Sequence, residues 1–162
     1  MSDTLPEIRE FLEHIGQPFE VWDCDPNYAD TVVFCEHYDI SPDSSANTIL
    51  VKSKRGEQKY ALCVLLASSR LDVNNTVRKK LGVRKASFAT ADETRTITGM
   101  EIGGVTPFAL PNDLVVWVDD NVVEREYIVL GGGNRTSKLK VSPKTFEHMH
   151  NIEIVSGLAV KS

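Results

Sequence analysis

The sequence predicts an α+β fold built on a mixed sheet, and three observations lead there. Apolar residues recur at helical spacing near the N-terminus, and further helix start and stop signals bracket residues 74–81 and 92–98. Runs rich in β-branched and apolar residues occupy 48–51, 60–67, 114–118, 127–130 and 152–155. Helices and strands mix without the regular alternation of a doubly wound parallel sheet.

Each element has a local reason. Thr4, then Pro6 and Glu7, open a helix with proline in its first turn; Ile8, Phe11, Leu12 and Ile15 form its apolar stripe and Gly16 stops it. Phe19 to Trp22 reads as a short strand, Asp23 to Asp30 as turn, Thr31 to Tyr38 as a short helix and Ser41 to Ala46 as a polar loop. Thr48 to Val51 and Tyr60 to Ala67 read as paired strands joined at Lys54-Arg55-Gly56. The second is apolar almost throughout, which predicts a central place in the sheet. Asn74 or Asn75 is expected to cap a helix that runs to Leu81 and closes at Gly82. Asp92 to Thr98 reads as another helix, ended by Gly99. Leu114 to Val118 and Tyr127 to Leu130 read as strands, Pro143 opens a last helix through His148, and Ile152 to Val155 is read as a terminal strand.

Composition bounds the function. The chain has 162 residues, 41% hydrophobic and 25% charged, as in an ordinary globular domain. No repeat, low-complexity tract or long linker divides it, so residues 1–162 are expected to form a single domain. No apolar run reaches the ~18 residues that span a bilayer. The first residues, from Met1, lack the basic and apolar regions of a secretory leader. Cys24, Cys35 and Cys63 are an odd number at wide spacing, which fits a reducing cytoplasm better than a disulfide framework. The net charge of −5 is divided unevenly: residues 1–43 carry 11 acids against Arg9 alone, so the remainder is net positive. The base-rich stretches are 52–59, 78–85 and 135–144. They are either three solvated faces or, if they meet in space, one phosphate-contacting rim.

Two glycine clusters carry chemistry. In Gly103-Gly104-Val105-Thr106-Pro107 the paired glycines let backbone approach a ligand, and Pro107 fixes the chain and restricts Thr106. Amides freed in such a loop can hold a carbonyl oxygen or a phosphate; a plain Gly-Gly turn has the same composition. Gly131-Gly132-Gly133-Asn134-Arg135-Thr136-Ser137-Lys138 follows a strand and suits phosphate or ribose contact, or a surface hairpin. It lacks the spacing of a phosphate-binding P-loop.

Taken in order, Leu81-Gly82-Val83 with Lys85, Ala89 to Glu93, Thr98-Gly99, the Gly103–Pro107 loop with Phe108, and Gly131-Gly132-Gly133 before a Ser137-containing strand resemble the YbaK/EbsC family. These are relatives of the editing domain inserted in bacterial prolyl-tRNA synthetases. The resemblance covers about residues 4 to 155. It implies a barrel-like sheet flanked by helices and hydrolysis, in trans, of the ester of a mischarged aminoacyl-tRNA. It implies no metal, no cofactor and no covalent nucleophile. The implied substrate is the acceptor end of aminoacyl-tRNA, with a synthetase as a further implied partner, and the resemblance further implies that a ribose hydroxyl of the substrate helps to position water. By position, the resemblance implies that Gly103, Gly104, Val105, Thr106 and Pro107 form the loop that frames the aminoacyl group, that Asn47 joins them as a catalytic residue, and that Thr48, Lys52, Gly131, Gly132, Arg135 and Ser137 contact substrate. A tRNA-end binding module of the same fold, without turnover, is the alternative.

The sequence departs from that family at two positions. Many members carry a lysine at the start of the first core strand, where this chain has Asn47, which brings hydrogen-bond donors but no charge. Lys52 lies an odd offset away and so on the opposite face of an extended strand. The acid that some members carry after the last glycine cluster is replaced here by Lys138 or a neighbour. Other groupings invite chemistry more weakly. Cys35-Glu36-His37 lacks assured geometry for a thiolate, and His148-x-His150 lacks cysteines at recurrent zinc spacings. Asp119-Asp120 with Glu124 and Glu126 reads as an acidic turn, and Trp117 as core rather than a base-stacking platform.

Overall fold

A computed structural model describes residues 3–111 and 114–162; Met1 and Ser2, read above for a leader, lie outside them. Helix α1 spans Pro6–His14 and buries Ile8 and Leu12, with Gly16 beyond it at φ 71°. Strand β1 (Phe19–Asp23) and helix α2 (Thr31–Tyr38) follow. Next come β2 (Ala46–Ser53), β3 (Tyr60–Leu66) and the short β4 (Ser69–Leu71). Then α3 (Arg78–Leu81), β5 (Ala86–Phe88) and α4 (Ala91–Thr98) lead into the first glycine loop. The last part holds β6 (Val116–Asp119), α5 (Asp120–Val123), β7 (Ile128–Gly131), β8 (Ser137–Val141), β9 (Ile152–Val155) and β10 (Ala159–Lys161).

The main sheet has the order β5-β2-β3-β6-β9. β2 pairs antiparallel with β3 and β5, whereas β3, β6 and β9 run parallel, so the sheet is mixed as expected. β3 is central, and every residue after Tyr60 in it is buried. A second, antiparallel sheet has the order β1-β8-β7, and it meets β2 through one parallel bridge between Ser45 and Val129. The sheet bends toward a barrel but does not close, because β7 touches the β2 strand end at that bridge instead of pairing along it. Between the sheets and α1 lies the main core, with Leu50, Leu62, Phe108, Val118, Leu130 and Leu139 buried in it. Each such side chain contributes roughly 1.5–3 kcal/mol by leaving water.

Local details differ from the sequence expectation in three places. Neither Asn74 nor Asn75 caps a helix; the chain enters α3 through a wide π-type turn over Val73–Val77 without a side-chain cap. Gly82 still ends it, at φ 71°. Pro143–His148 is a 3-10 helix. β9 is followed by β10, which pairs with β4. Three-residue strands such as β4, β5 and β10 have too few positions for alternation to register in a sequence.

Helix α4 is anchored at its N-terminus. Thr90 and Glu93 form a reciprocal capping box. Lys52 Nζ also donates to both Glu93 oxygens at 2.8 Å. These bonds, that of Lys52 first, hold the Glu93 carboxyl down at about 2 against an ordinary 4.5. A carboxylate held low stabilises the fold above its ordinary range, and that contribution is lost as the pH falls through about 2. Lys52→Met is expected to bring the Glu93 midpoint back toward 4.5 in a carboxyl NMR titration. A midpoint unmoved by the substitution would show that the ion pair is not its cause.

Candidate active site

The two glycine clusters meet. Gly99, at φ 74°, ends α4, and Gly103 turns the chain again at φ 90°. The Gly104 N–H donates to Glu101 O at 2.8 Å, and Gly104 O accepts from Gly133 N at 2.6 Å. The contact has no room for side chains. A Cβ on Gly104 would lie 2.3 Å from Asn134 O, and one on Gly131 would lie 2.5 Å from the carbonyl oxygens of Gly104 and Val105. The glycines are therefore required by backbone-to-backbone approach.

Arg135 ties three segments together. Its Nη1 donates to Ile102 O at 2.7 Å and pairs with Asp30 at 3.0 Å, and its Nη2 donates to Pro26 O at 2.7 Å. The Ser137 hydroxyl donates to Asn134 Oδ1 at 2.7 Å, and Gly132 O accepts from Thr4 Oγ1 at 2.7 Å. Arg135, Ser137 and Gly132, expected at the substrate, thus hold the second glycine loop in shape.

Beside this contact lies a small polar cavity of about 40 Å³, lined by Thr31, Asn47, Thr48, Gly103, Val105 and Lys138, among others. A second pocket, of about 300 Å³ and mainly apolar, shares Thr48, Gly103 and Val105 with it. Its other walls include Leu50, Phe88, Thr94 and Ile102. Asn47 therefore does face the first glycine loop. The Thr31 hydroxyl donates to Asn47 Oδ1, which leaves the amide N–H donors of Asn47 for the cavity. Thr48 Oγ1 is buried without a hydrogen-bond partner. Two other predicted residues stand back: Thr106 is fully buried and Pro107 faces a different pocket with Phe11 and Met149. Lys52 lines neither cavity and is bound to Glu93.

Lys138 is the prominent group at this site. It is 5% exposed, donates to Ala29 O at 2.7 Å and Gly103 O at 2.9 Å, and lies 5.0 Å over the Phe34 ring. Among the described residues it forms no ion pair. Burial pushes its ammonium below the ordinary lysine range. No local signal marks it, because in Ser137-Lys138-Leu139-Lys140-Val141 the alternation groups Lys138 with Lys140 on the face away from Leu139 and Val141. The sequence registered it only as a replaced acid.

The weaker groupings resolve as structure. Cys35 is buried, and burial raises its thiol, as it does those of Cys24 and, to about 12, Cys63. A raised thiol is a poor nucleophile. His37 stacks on Tyr28, Trp117 packs in a core beneath the main sheet, and Asp119 accepts from Ala159 N. Among the described residues no three His, Cys, Asp or Glu side chains gather as a metal-ligand set, and no helix is long and apolar enough to cross a membrane.

The chain is 32% identical over 92 residues to the uncharacterized protein YwhH of Bacillus subtilis, a match covering 57% of this chain and 58% of that one. It is 27% identical to the prolyl-tRNA editing protein ProX of Acetoanaerobium sticklandii, over 99% of this chain and 96% of the relative. The fold matches the crystal structure of hypothetical protein APE2540 with a TM-score of 0.82 at 22% identity, over 95% of this chain and 99% of that one. A structure proposed as a trans-editing enzyme for prolyl tRNA synthetase matches with a TM-score of 0.76 at 18% identity, over 94% and 96% of the two chains. The family model of the aminoacyl-tRNA editing domain matches residues 25–148, so the chain belongs to the aminoacyl-tRNA editing domain family.

Proposed function

We propose that this chain is a trans-acting deacylase that hydrolyses the ester of mischarged aminoacyl-tRNA in the cavity between the two glycine loops. The observation that carries the reading is the convergence of Asn47, Thr48, Lys138, Gly103 and Val105 on one polar cavity that adjoins an apolar pocket. The aminoacyl side chain enters the apolar pocket and the ester lies at the polar cavity. The amides of Gly103 and Val105, which donate to no protein acceptor among the described residues, face the developing oxyanion. Water attacks the carbonyl carbon, the tetrahedral centre collapses, and the ribose oxygen leaves with a proton. Rate comes from oriented water and a preformed electrostatic site acting on an ester already prone to hydrolysis.

Lys138 accounts for the missing lysine at position 47. The family's usual cation enters from the first core strand; here an amide stands there and the ammonium enters from β8, across the same cavity. Thr48 Oγ1 accepts a hydrogen bond from the substrate's α-ammonium group, which satisfies an otherwise unpartnered atom. Residues 1–162 act as one editing domain, in the cytoplasm, where three free thiols are stable. A synthetase is the partner that supplies the mischarged tRNA.

The test is deacylation of a panel of mischarged tRNAs, with tRNA for proline included because of the ProX relative. Thr48→Val should lower kcat/KM about tenfold, as loss of one hydrogen bond to a charged group does. Cys35→Ala should leave it unchanged. Hydrolysis of none of the panel, with tRNA still bound, would make the chain a binding module.

A further inference from the structure

Of the three base-rich stretches, two meet. The Lys54 N–H donates to Lys85 O at 2.9 Å, and Lys59 Nζ donates to Leu81 O at 3.1 Å. The third does not join them: Arg135 and Lys138 are consumed at the glycine loops, and Lys140 pairs with Glu20 on β1. Between the first two lies an open groove of about 610 Å³ lined by Arg55, Lys59, Arg84 and Lys85, with Glu57 as its one acid. None of these four cations forms an ion pair among the described residues, whereas Arg9, Lys52, Lys80, Arg95, Arg135 and Lys140 all do. On a chain of net charge −5 this is a concentrated positive surface, four cations against one acid.

The groove is joined to the site by a short strand. Lys85 immediately precedes β5, and β5 ends at Phe88, which stands 55% exposed on the wall of the apolar pocket. Three residues of strand span about 10 Å. A cationic groove followed by an exposed aromatic ring is the combination that holds single-stranded nucleic acid, phosphates in the groove and a base stacked on the ring.

We propose that the Arg55–Lys59–Arg84–Lys85 groove and Phe88 bind the unpaired 3′ end of tRNA and lead its terminal ribose to the cavity. This rests on the deacylase reading for the direction of the chain, but not for the binding itself. Arg55, Arg84 and Lys85 hold phosphates, and Phe88 carries a base just upstream of the esterified nucleotide. Charge, not base identity, dominates this contact, so it tolerates many tRNAs and leaves selection to the apolar pocket.

The test measures binding of uncharged tRNA by fluorescence anisotropy, alongside hydrolysis of aminoacyl-tRNA and of aminoacyl-adenosine. Arg55, Arg84 and Lys85 are exposed, so R55E/R84E/K85E is compatible with folding. It should weaken tRNA binding at least tenfold and flatten the slope of log Kd against log salt by about two, given ~0.7 per single-strand phosphate contact. Hydrolysis of aminoacyl-adenosine should not change. Phe88→Ala should weaken binding of intact tRNA about tenfold, but not that of tRNA lacking its unpaired 3′ nucleotides. Equal tRNA binding by wild type and the triple variant would overturn the proposal, as would equal loss on aminoacyl-adenosine. If wild type hydrolyses nothing yet the triple variant loses tRNA binding, the groove stands and the deacylase reading falls.

Discussion

Replacing Gly104 with alanine is expected to lower kcat for deacylation about a hundredfold or more while leaving a folded protein. The new Cβ would sit 2.3 Å from Asn134 O and 2.6 Å from its carbonyl carbon, and both are backbone atoms that no rotamer change can move aside. The loops must separate by something near an ångström, which moves the Gly103 and Val105 amides away from the cavity. Misplacement on that scale costs on the order of a hundredfold. The overpacking itself costs about 1–3 kcal/mol, within what a domain of this size tolerates. Gly131→Ala should behave alike, because its Cβ meets the same loop at Gly104 O and Val105 O. Gly16→Ala is the control: it strains a residue at φ 71° with nothing within 4 Å, so it should lower the melting temperature and leave kcat alone. A Gly104→Ala protein with wild-type kcat would refute the cradle.

The second large effect belongs to Lys138. Lys138→Met keeps the length and apolar stem but removes the ammonium, and it should lower kcat by about 10²–10³. The pH profile separates a charge from a spacer. Burial, the main cause, lowers the Lys138 pKa from its ordinary 10.5, so activity should fall on the alkaline side earlier than an exposed lysine would dictate. Stability moves the other way. The folded protein disfavours the proton relative to the unfolded chain, so the cost of burying the ammonium is present at low pH and disappears as the pH rises toward 10.5. Lys138→Arg should shift the alkaline limb upward, because a guanidinium does not titrate there. Rates need subtraction of the uncatalysed alkaline hydrolysis of the ester. An unchanged alkaline limb in Lys138→Met would assign that limb to another group.

Much of the fold was legible because its signals are local. The stripe of Ile8, Leu12 and Ile15, the Gly99 stop and the unbroken apolar run of β3 each lie within one element, and the structure keeps all three. The capping box of Thr90 and Glu93 was written in the sequence too, although the start of that helix was read at Asp92. The π-type turn at Val73–Val77 was not legible: Val77 is buried in the core beneath the sheet, a tertiary contact that cap signals in the sequence do not report.

The site was legible in part. Glycine pairs report close backbone approach, and 103–104 and 131–132 do meet, but no single-chain pattern says which glycine faces a ligand and which faces another loop. Thr106 and Pro107 share a cluster with Gly103 and Val105, and Arg135 and Ser137 share one with Gly131 and Lys138, yet all four turn inward or clamp the backbone. Lys52 has the right charge and the wrong neighbour, Glu93, which is 41 residues away.

By itself the sequence determined the α+β class, the mixed sheet with β3 at its centre, the two glycine clusters and the family order of signals. Each depends on spacing along the chain. Only the tertiary structure decided that the sheet stays open, that two of the three basic stretches share a groove, and that Lys138 enters the cavity opposite Asn47. These depend on where strands β2 and β8, some 90 residues apart in the chain, are brought by packing. A charged group can then line a cavity from a distant strand without any trace in local sequence.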